Sequence, residues 1–324
     1  MKVLLTSLPL ERRKRGEELT PPLGLVYIAA YLQEHGVDVS LIDAYAIGYT
    51  FNDLKNRIKL EKPDIVGTTV MTPQVSEADR LGAIIKEIDP EILYAVGGPH
   101  PTILPEETIS NKNIDYCVIG EGEITLLELV NALEKKSDIT KVKGLAFKKN
   151  DKVILTQPRG PIQNLDQLPM PAWDLLPIKV YKSPAARKRP FVSMIASRGC
   201  PFHCIFCEVG QIMGKIHRRR SPEKVVEEIE YLVKEKGVKD IFIRDSLFTA
   251  NKKWNEKILD LILERKLDFI WQCESRIDTI TEPILQKMKK AGCYGVWFGI
   301  ESGNDIILKN AKKGFTVKKV RESF

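Results

Sequence analysis

Two rhythms alternate along the first 138 residues. The run "KVLLTS" is apolar enough for a strand buried on both faces, "LGLVYIAAYLQEHG" spaces its apolar positions as a helix and ends on a glycine stop, and "DVSLID" is again strand-like. The alternation continues through "FNDLKNRIKLEK", "DIVGTTVM", "SEADRLGAIIKEID" and "LYAVGG", and closes with "DYCVIGEGE" and the helix "ITLLELVNALEKK". Nearly all-apolar strands separated by amphipathic helices imply a parallel sheet covered on both faces. The pattern therefore predicts an α/β chain whose residues 1–138 form a five-stranded doubly wound domain.

The rhythm then changes. "VKGLAFKKNDKVILTQ" reads as a hairpin around "KNDK", and "RGPIQNLDQLPMPAWDLLP" is proline-rich and aperiodic, so residues 139–190 are expected to be a hairpin and a linker. Trp173 and its leucines are too apolar to be left in water, which predicts that the linker is packed. A second α/β series starts at Phe191: strands "FVSMIAS", "DIFIRDS", "FIWQCES" and "YGVWFGIES" alternate with helices "SPEKVVEEIEYLVKEKG", "NKKWNEKILDLILERK" and "TEPILQKMKKAG". "SPEK" supplies a serine cap and a proline in the first turn. Residues 191–324 thus show four strands, and "FTVKKVRESF" reads as the start of a helix with no return strand, so this second domain is expected to be cut short.

Composition narrows the class. A chain of 324 residues with 43% hydrophobic and 29% charged residues accommodates two globular domains. No apolar run reaches membrane-spanning length, and "MKVLLTSLPLERRKRGEE" lacks the small-residue exit of a signal peptide, so a cytoplasmic protein is expected. The net charge of +7 is mild, and most basic residues have acidic neighbours. The runs Arg12 to Arg15 and Arg218 to Arg220 read as solvated loops ahead of anion contacts, and no nucleic-acid partner is expected.

Cysteine usage points to chemistry. Six cysteines in a chain of this kind argue for metal or redox work rather than a disulfide framework, and three of them, Cys200, Cys204 and Cys207, stand as CxxxCxxC after an apolar strand. Structural zinc takes four protein ligands, so it would have to borrow His203, Cys273 or Cys293. Iron–sulfur carriers also use cysteine runs, with four thiolates to a cluster. Three thiolates on a four-iron cluster leave one iron open, which is a binding place.

"RGCPFHCIFC" resembles the signature of the radical S-adenosylmethionine (SAM) enzymes, including the aromatic Phe206 before the last cysteine. The resemblance implies a [4Fe-4S] cluster on Cys200, Cys204 and Cys207 whose open iron is chelated by SAM, reductive cleavage to a 5'-deoxyadenosyl radical, and a partial (β/α) barrel, here incomplete. By the same resemblance Asp245 and Ser246 in "IFIRDSLFTAN" stand near the methionyl amine, and Arg276 in "WQCESRID" with Glu301 and Ser302 in "GIESGND" stand near the carboxylate and ribose. Cys117, Cys273 and Cys293 read as core residues.

The order of domains, with "TPPLGL", "GGPHPT" and "GEGE", resembles the cobalamin-dependent radical SAM enzymes over the whole chain, the first domain being flavodoxin-like and cobalamin-binding. Thr69 and Met71 fit the SxL place of the better-known cobalamin fold, and Gly97 and Gly98 its GG; Gly24, after Leu23 in "PLGLVY", falls where that fold carries a cobalt-ligating histidine. The resemblance places Pro99, His100, Gly120, Glu121 and Gly122 at the same strand ends, and implies cobalamin with its own base displaced and no histidine below the metal. His100 reads as a loop histidine shaped by two flanking prolines rather than as a cobalt ligand. The function implied is methyl transfer to an unreactive centre of a small-molecule substrate, with an electron donor such as ferredoxin or flavodoxin. The alternatives are radical cyclisation or rearrangement, or a non-catalytic cofactor-binding fragment.

Overall fold

Burial on both faces explains why the first strands align in parallel. The computed structural model of the chain describes residues 1–9 and 17–323, so the basic run Arg12 to Arg15 lies outside the described residues. Strands β1 (Lys2–Thr6), β2 (Asp38–Ile42), β3 (Ile65–Thr69), β4 (Leu93–Gly97) and β5 (Tyr116–Val118) form a parallel sheet in the order β2-β1-β3-β4-β5. Helices α1 (Leu23–Glu34), α2 (Ala44–Ile47), α3 (Phe51–Glu61), α4 (Val75–Ile88), α5 (Pro99–Ile103), α6 (Pro105–Ser110) and α7 (Gly122–Glu134) connect them. One core layer joins Leu4, Val66, Tyr94 and Val96 of the sheet to Leu54, Ile58, Leu81 and Ile85 of α3 and α4. This is the doubly wound arrangement the alternation implies, with helices on both faces of the strands.

The "KNDK" hairpin has a further partner. Strands β6 (Leu145–Lys149) and β7 (Lys152–Leu155) turn at Asn150 and Asp151, both with positive φ, and β6 pairs antiparallel with β5, so the sheet has seven strands. Residues 139–190, expected as hairpin and linker, divide between two compact units, the first made of 1–162 with 168–184 and the second of 163–167 with 185–324. Within the first unit the proline-rich segment is packed: Trp173 is buried, and the buried Tyr181 hydroxyl donates to Asp43 Oδ2 at 2.9 Å. Asp43 Oδ1 also accepts from Ser7 Oγ at 2.6 Å, so this carboxylate ties the ends of β1 and β2 to the segment.

The second unit holds β8 (Phe191–Met194), the two-residue strands β9 (Ser197–Arg198) and β10 (Arg218–Arg219), and then β11 (Asp240–Ile243), β12 (Ile270–Ser275) and β13 (Cys293–Phe298). β8, β11, β12 and β13 lie parallel in that order, while β9 and β10 pair with each other antiparallel. Helices α8 (Val209–Ile212), α9 (Pro222–Lys234), α10 (Lys252–Glu264), α11 (Glu282–Lys290), α12 (Asp305–Asn310) and α13 (Val317–Ser323) complete it. Ser221 caps α9 by accepting from the Lys224 amide. The basic run preceding it is not solvated as expected. Arg218 and Arg220 are buried, and Arg220 pairs with the fully buried Glu228, because the run lies inside the β9–β10 ribbon and against α9.

Candidate functional sites

In the first unit the residues singled out by sequence gather at carboxyl ends of strands, the ligand side of a doubly wound sheet. Gly98, after β4, has φ of 100°, and a Cβ there would lie 2.4 Å from Thr69 Oγ1 and 3.0 Å from the Val70 amide nitrogen. The turn at Gly97 and Gly98 therefore rests on the end of β3, and only glycine allows it. The His100 amide donates to Val70 O at 3.1 Å, which anchors α5 against the same segment. The His100 side chain is buried; Nδ1 is 3.3 Å from Thr72 Oγ1, and Nε2 has no hydrogen-bond partner among the described residues. Pro99 opens α5, where its missing N–H costs nothing.

The remaining candidates lie at neighbouring ends. The Gly120 amide donates to Thr102 Oγ1 at 2.9 Å, and Glu121 accepts from the Ile162 amide at 2.6 Å, so that carboxylate is occupied in holding the chain that follows β7. Gly122 begins α7 and packs on Ile28 of α1. Leu23 and Gly24 open α1; a Cβ on Gly24 would meet nothing within 4 Å. Met71 is exposed. Thr69, Gly97, Gly98 and His100 are thus brought into one contact group.

In the second unit the cysteine loop, residues 199–217, is closed at its neck by the pairing of β9 with β10. Gly199 has φ of 82°, and a Cβ there would sit 2.3 Å from Ile216 O and 2.9 Å from Gly214 O. The Cys200 amide donates to Gly214 O at 3.2 Å, and the Cys207 amide to Cys204 O at 3.2 Å. Cys200 and Cys204 are half-buried and Cys207 is exposed, as are His203 and Phe206. Burial pushes the Cys200 thiol up, and the neighbouring Cys207 and Cys204 push it further. Cys273 is buried and, like Cys293, engaged with the other of that pair, which raises the Cys273 thiol together with burial and lowers that of Cys293. Among the described residues no three His, Cys, Asp or Glu side chains are gathered as ligands of a single metal ion.

A cation stands beside the loop. Arg276, at the end of β12, forks onto Asp278 with Nε–Oδ1 at 2.9 Å and Nη2–Oδ2 at 2.8 Å. Its Nη1 lies 3.7 Å from Cys204 Sγ, and its guanidinium carbon lies 3.6 Å from the centre of the Phe202 ring. Nη2 also donates to the carbonyl of Lys313, a buried lysine whose Nζ is 3.3 Å from Glu301 Oε1. Glu301 has positive φ, and Ser302 Oγ accepts from the Asn304 amide at 3.1 Å. Arg276 and Glu301 are therefore linked through Lys313, which is not legible in sequence because a lysine in "NAKKGF" between two short helices carries no motif.

Asp245 is placed otherwise than its candidate role as a contact for the methionyl amine. It is fully buried, accepting from the Ala196 amide at 2.7 Å and from Ser197 Oγ at 2.6 Å, and burial pushes its carboxyl up to about 6 against those hydrogen bonds. Ser246 beside it is half-buried.

Known proteins resemble both parts of the chain. The B12 binding domain family matches residues 15–130, and the Radical SAM superfamily matches residues 194–324. The chain is 42% identical over 319 residues to the uncharacterized methyltransferase PH0819 of Pyrococcus horikoshii, covering 98% of this chain and 69% of that protein. It is 33% identical to the anaerobic magnesium-protoporphyrin IX monomethyl ester cyclase of Rubrivivax gelatinosus, covering 92% of this chain and 55% of that one. In fold it resembles the cobalamin-dependent S-adenosylmethionine radical enzyme OxsB, with a TM-score of 0.85 at 22% identity over 99% of this chain and 47% of that chain. The radical S-adenosylmethionine methyltransferase TsrM of Kitasatospora setae gives 0.78 at 20% identity, over 99% and 64%. The chain thus spans about half to two thirds of the length of these proteins. It belongs to the cobalamin-dependent radical S-adenosylmethionine enzymes.

Proposed function

We propose that this chain carries the cofactor-binding part of a methyltransferase that acts on an unreactive centre of a small-molecule substrate. The observation that carries the reading is the cysteine loop: three thiols in CxxxCxxC spacing, with Cys204 and Cys207 near enough to Cys200 to raise its thiol, and Arg276 Nη1 3.7 Å from Cys204 Sγ. That donor set fits a four-iron cluster with one open iron. In the first unit, a turn with no room for a Cβ at Gly98 and a buried, partnerless His100 Nε2 fit a large polar cofactor lying on main chain.

Cys200, Cys204 and Cys207 would hold the cluster, Arg276, Glu301 and Ser302 the SAM, and Thr69, Gly97, Gly98 and Gly120 the cobalamin. When bound, the cluster supplies the electron that cleaves SAM, and the cobalamin supplies a methyl group. The chain's own part is electrostatic and positional. Arg276 sets a permanent positive charge beside Cys204, and its guanidinium suits a carboxylate. Lys313 holds Glu301, whose carboxylate suits ribose hydroxyls as an acceptor. We place the protein in the cytoplasm, where thiols stay reduced, with a ferredoxin or flavodoxin as electron donor; among the described residues no helix is long and apolar enough to cross a membrane.

Anaerobic iron–sulfur reconstitution followed by electron paramagnetic resonance of the reduced chain tests the reading. The expected result is a four-iron signal that changes on adding SAM. A cluster indifferent to SAM overturns it. Similarity to the cyclase of Rubrivivax gelatinosus supports radical ring closure as the second reading; it wins if substrate turnover yields a cyclised product with no methyl group gained.

A further inference from the structure

The neck of the cysteine loop is crossed by a chain of side chains, the buried Asp245 and Ser197 and the half-buried His217. Asp245 follows β11, Ser197 begins β9, and His217 directly precedes β10. Asp245 Oδ2 accepts from Ser197 Oγ at 2.6 Å, and Ser197 Oγ lies 2.9 Å from His217 Nε2. The order of protons follows. An ionised carboxylate only accepts, so the serine hydrogen is committed to Asp245, and the serine oxygen can then only accept from the imidazole. His217 is therefore the Nε2–H tautomer, consistent with burial, and secondarily Arg219, holding its pKa down at about 4.

That tautomer leaves Nδ1 as a bare acceptor, buried and without a partner among the described residues. An unmet buried acceptor is costly, so the ring brings a penalty with its donated hydrogen bond. Trp254 of α10 meets it edge-on, with ring centres 6.3 Å apart, and donates its own Nε1–H to Arg220 O at 2.7 Å. The ring is thus held between a helix and the ribbon. Because β9 and β10 frame residues 199–217, the one chain of hydrogen bonds fixes where both ends of the cysteine loop leave the sheet.

We infer that His217, acting through Ser197 and Asp245, is a positioning residue for the iron–sulfur cluster, locking the neck of the loop that carries the three thiolates. This rests on the cluster reading above. Residues that orient metal ligands typically change metal affinity by about 10- to 100-fold when mutated, and here the orientation is of the loop that carries the ligands.

The test uses the full chain as wild type, His217→Ala, Ser197→Ala and His217→Gln, each reconstituted anaerobically. Iron per chain, the rate of iron loss to excess EDTA and the reduction potential of the cluster are measured beside the thermal unfolding of the apo chain. Gln can present an N–H where imidazole Nε2 stands. Expected is a loss of iron about tenfold faster in His217→Ala and Ser197→Ala, with wild-type retention and potential largely regained in His217→Gln. Retention in His217→Ala equal to wild type overturns the inference, as does a Gln variant no better than Ala. A wild type that builds no SAM-responsive cluster sinks the cluster reading itself, a result the variants cannot imitate.

Discussion

Around Gly98 the first unit offers main chain: a turn pressed onto Thr69 and Val70, a helix start at Pro99, and amides at strand ends. Around Gly199 the second unit offers side chains: three thiols, a guanidinium forked by Asp278, and a hydrogen-bonded Asp–Ser–His chain. Both need a glycine with positive φ, for different neighbours. At Gly98 the closest obstruction is a threonine side chain, and at Gly199 it is carbonyl oxygens on the opposite side of the loop neck. A main-chain cradle for a large cofactor tolerates change in any one side chain, whereas a cluster loop depends on each thiol.

The largest effect belongs to Cys204→Ala. It should abolish the four-iron cluster, read as iron per chain and the loss of charge-transfer absorbance, while cobalamin binding to the first unit stays near wild type. Equal loss of both cofactors would show that the two units do not bind independently. Next comes Gly199→Ala: a Cβ 2.3 Å from Ile216 O must move backbone, and the φ is unfavourable as well. Strain plus overpacking of this kind costs about 4 kcal/mol, and chemical denaturation should show the loss in the transition of the second unit alone.

Gly98→Ala should cost less, about 3 kcal/mol, because part of its clash is with the removable Thr69 Oγ1. Adding Thr69→Ala should recover part of the loss in stability and in cobalamin affinity by titration. A double variant as weak as the single one would mean that the Val70 backbone, 3.0 Å away, sets the cost.

Much of this arrangement is legible in sequence because burial on both faces makes most strands largely apolar. All five parallel strands of the first sheet and all four of the second fall within strand-like runs of the sequence, although β3 and β12 carry polar residues and β13 is only half-buried. The pairing of β6 with β5 is not legible, since Lys148 and Lys149 make β6 look like an exposed ribbon and nothing local names its partner. Helices α5 and α6 are hidden for another reason: prolines in "GPHPTILPEE" read as turn punctuation, yet here each helix has proline in its first turn. The thiols announce themselves by spacing. Asp245 is the harder case, because an acid at a strand end looks the same whether it faces a ligand or, as found, is enclosed by Ala196 and Ser197.

That enclosure makes the second unit titrate in opposite senses at its neck. Asp245 has its carboxyl raised to about 6 by burial, so the folded state binds its proton more tightly than the unfolded chain, and stability grows as pH falls through that value. His217 is lowered to about 4, so the folded state resists its proton, and stability is lost as pH falls from the ordinary imidazole range. Between about pH 6.5 and about pH 4.5 the Asp245 contribution amounts to about 2 kcal/mol, and the partly solvated His217 offsets some of it. Wild type should therefore respond weakly to pH. Asp245→Asn, which keeps an acceptor but cannot titrate, should leave only the histidine's decline, and His217→Gln should leave only the aspartate's gain. Urea unfolding of the second unit at the two pH values reads the difference directly. Slopes of the same sign in both variants would mean that these two groups are not the ones titrating, and the contrast between a main-chain cradle and a side-chain neck would lose its electrostatic half.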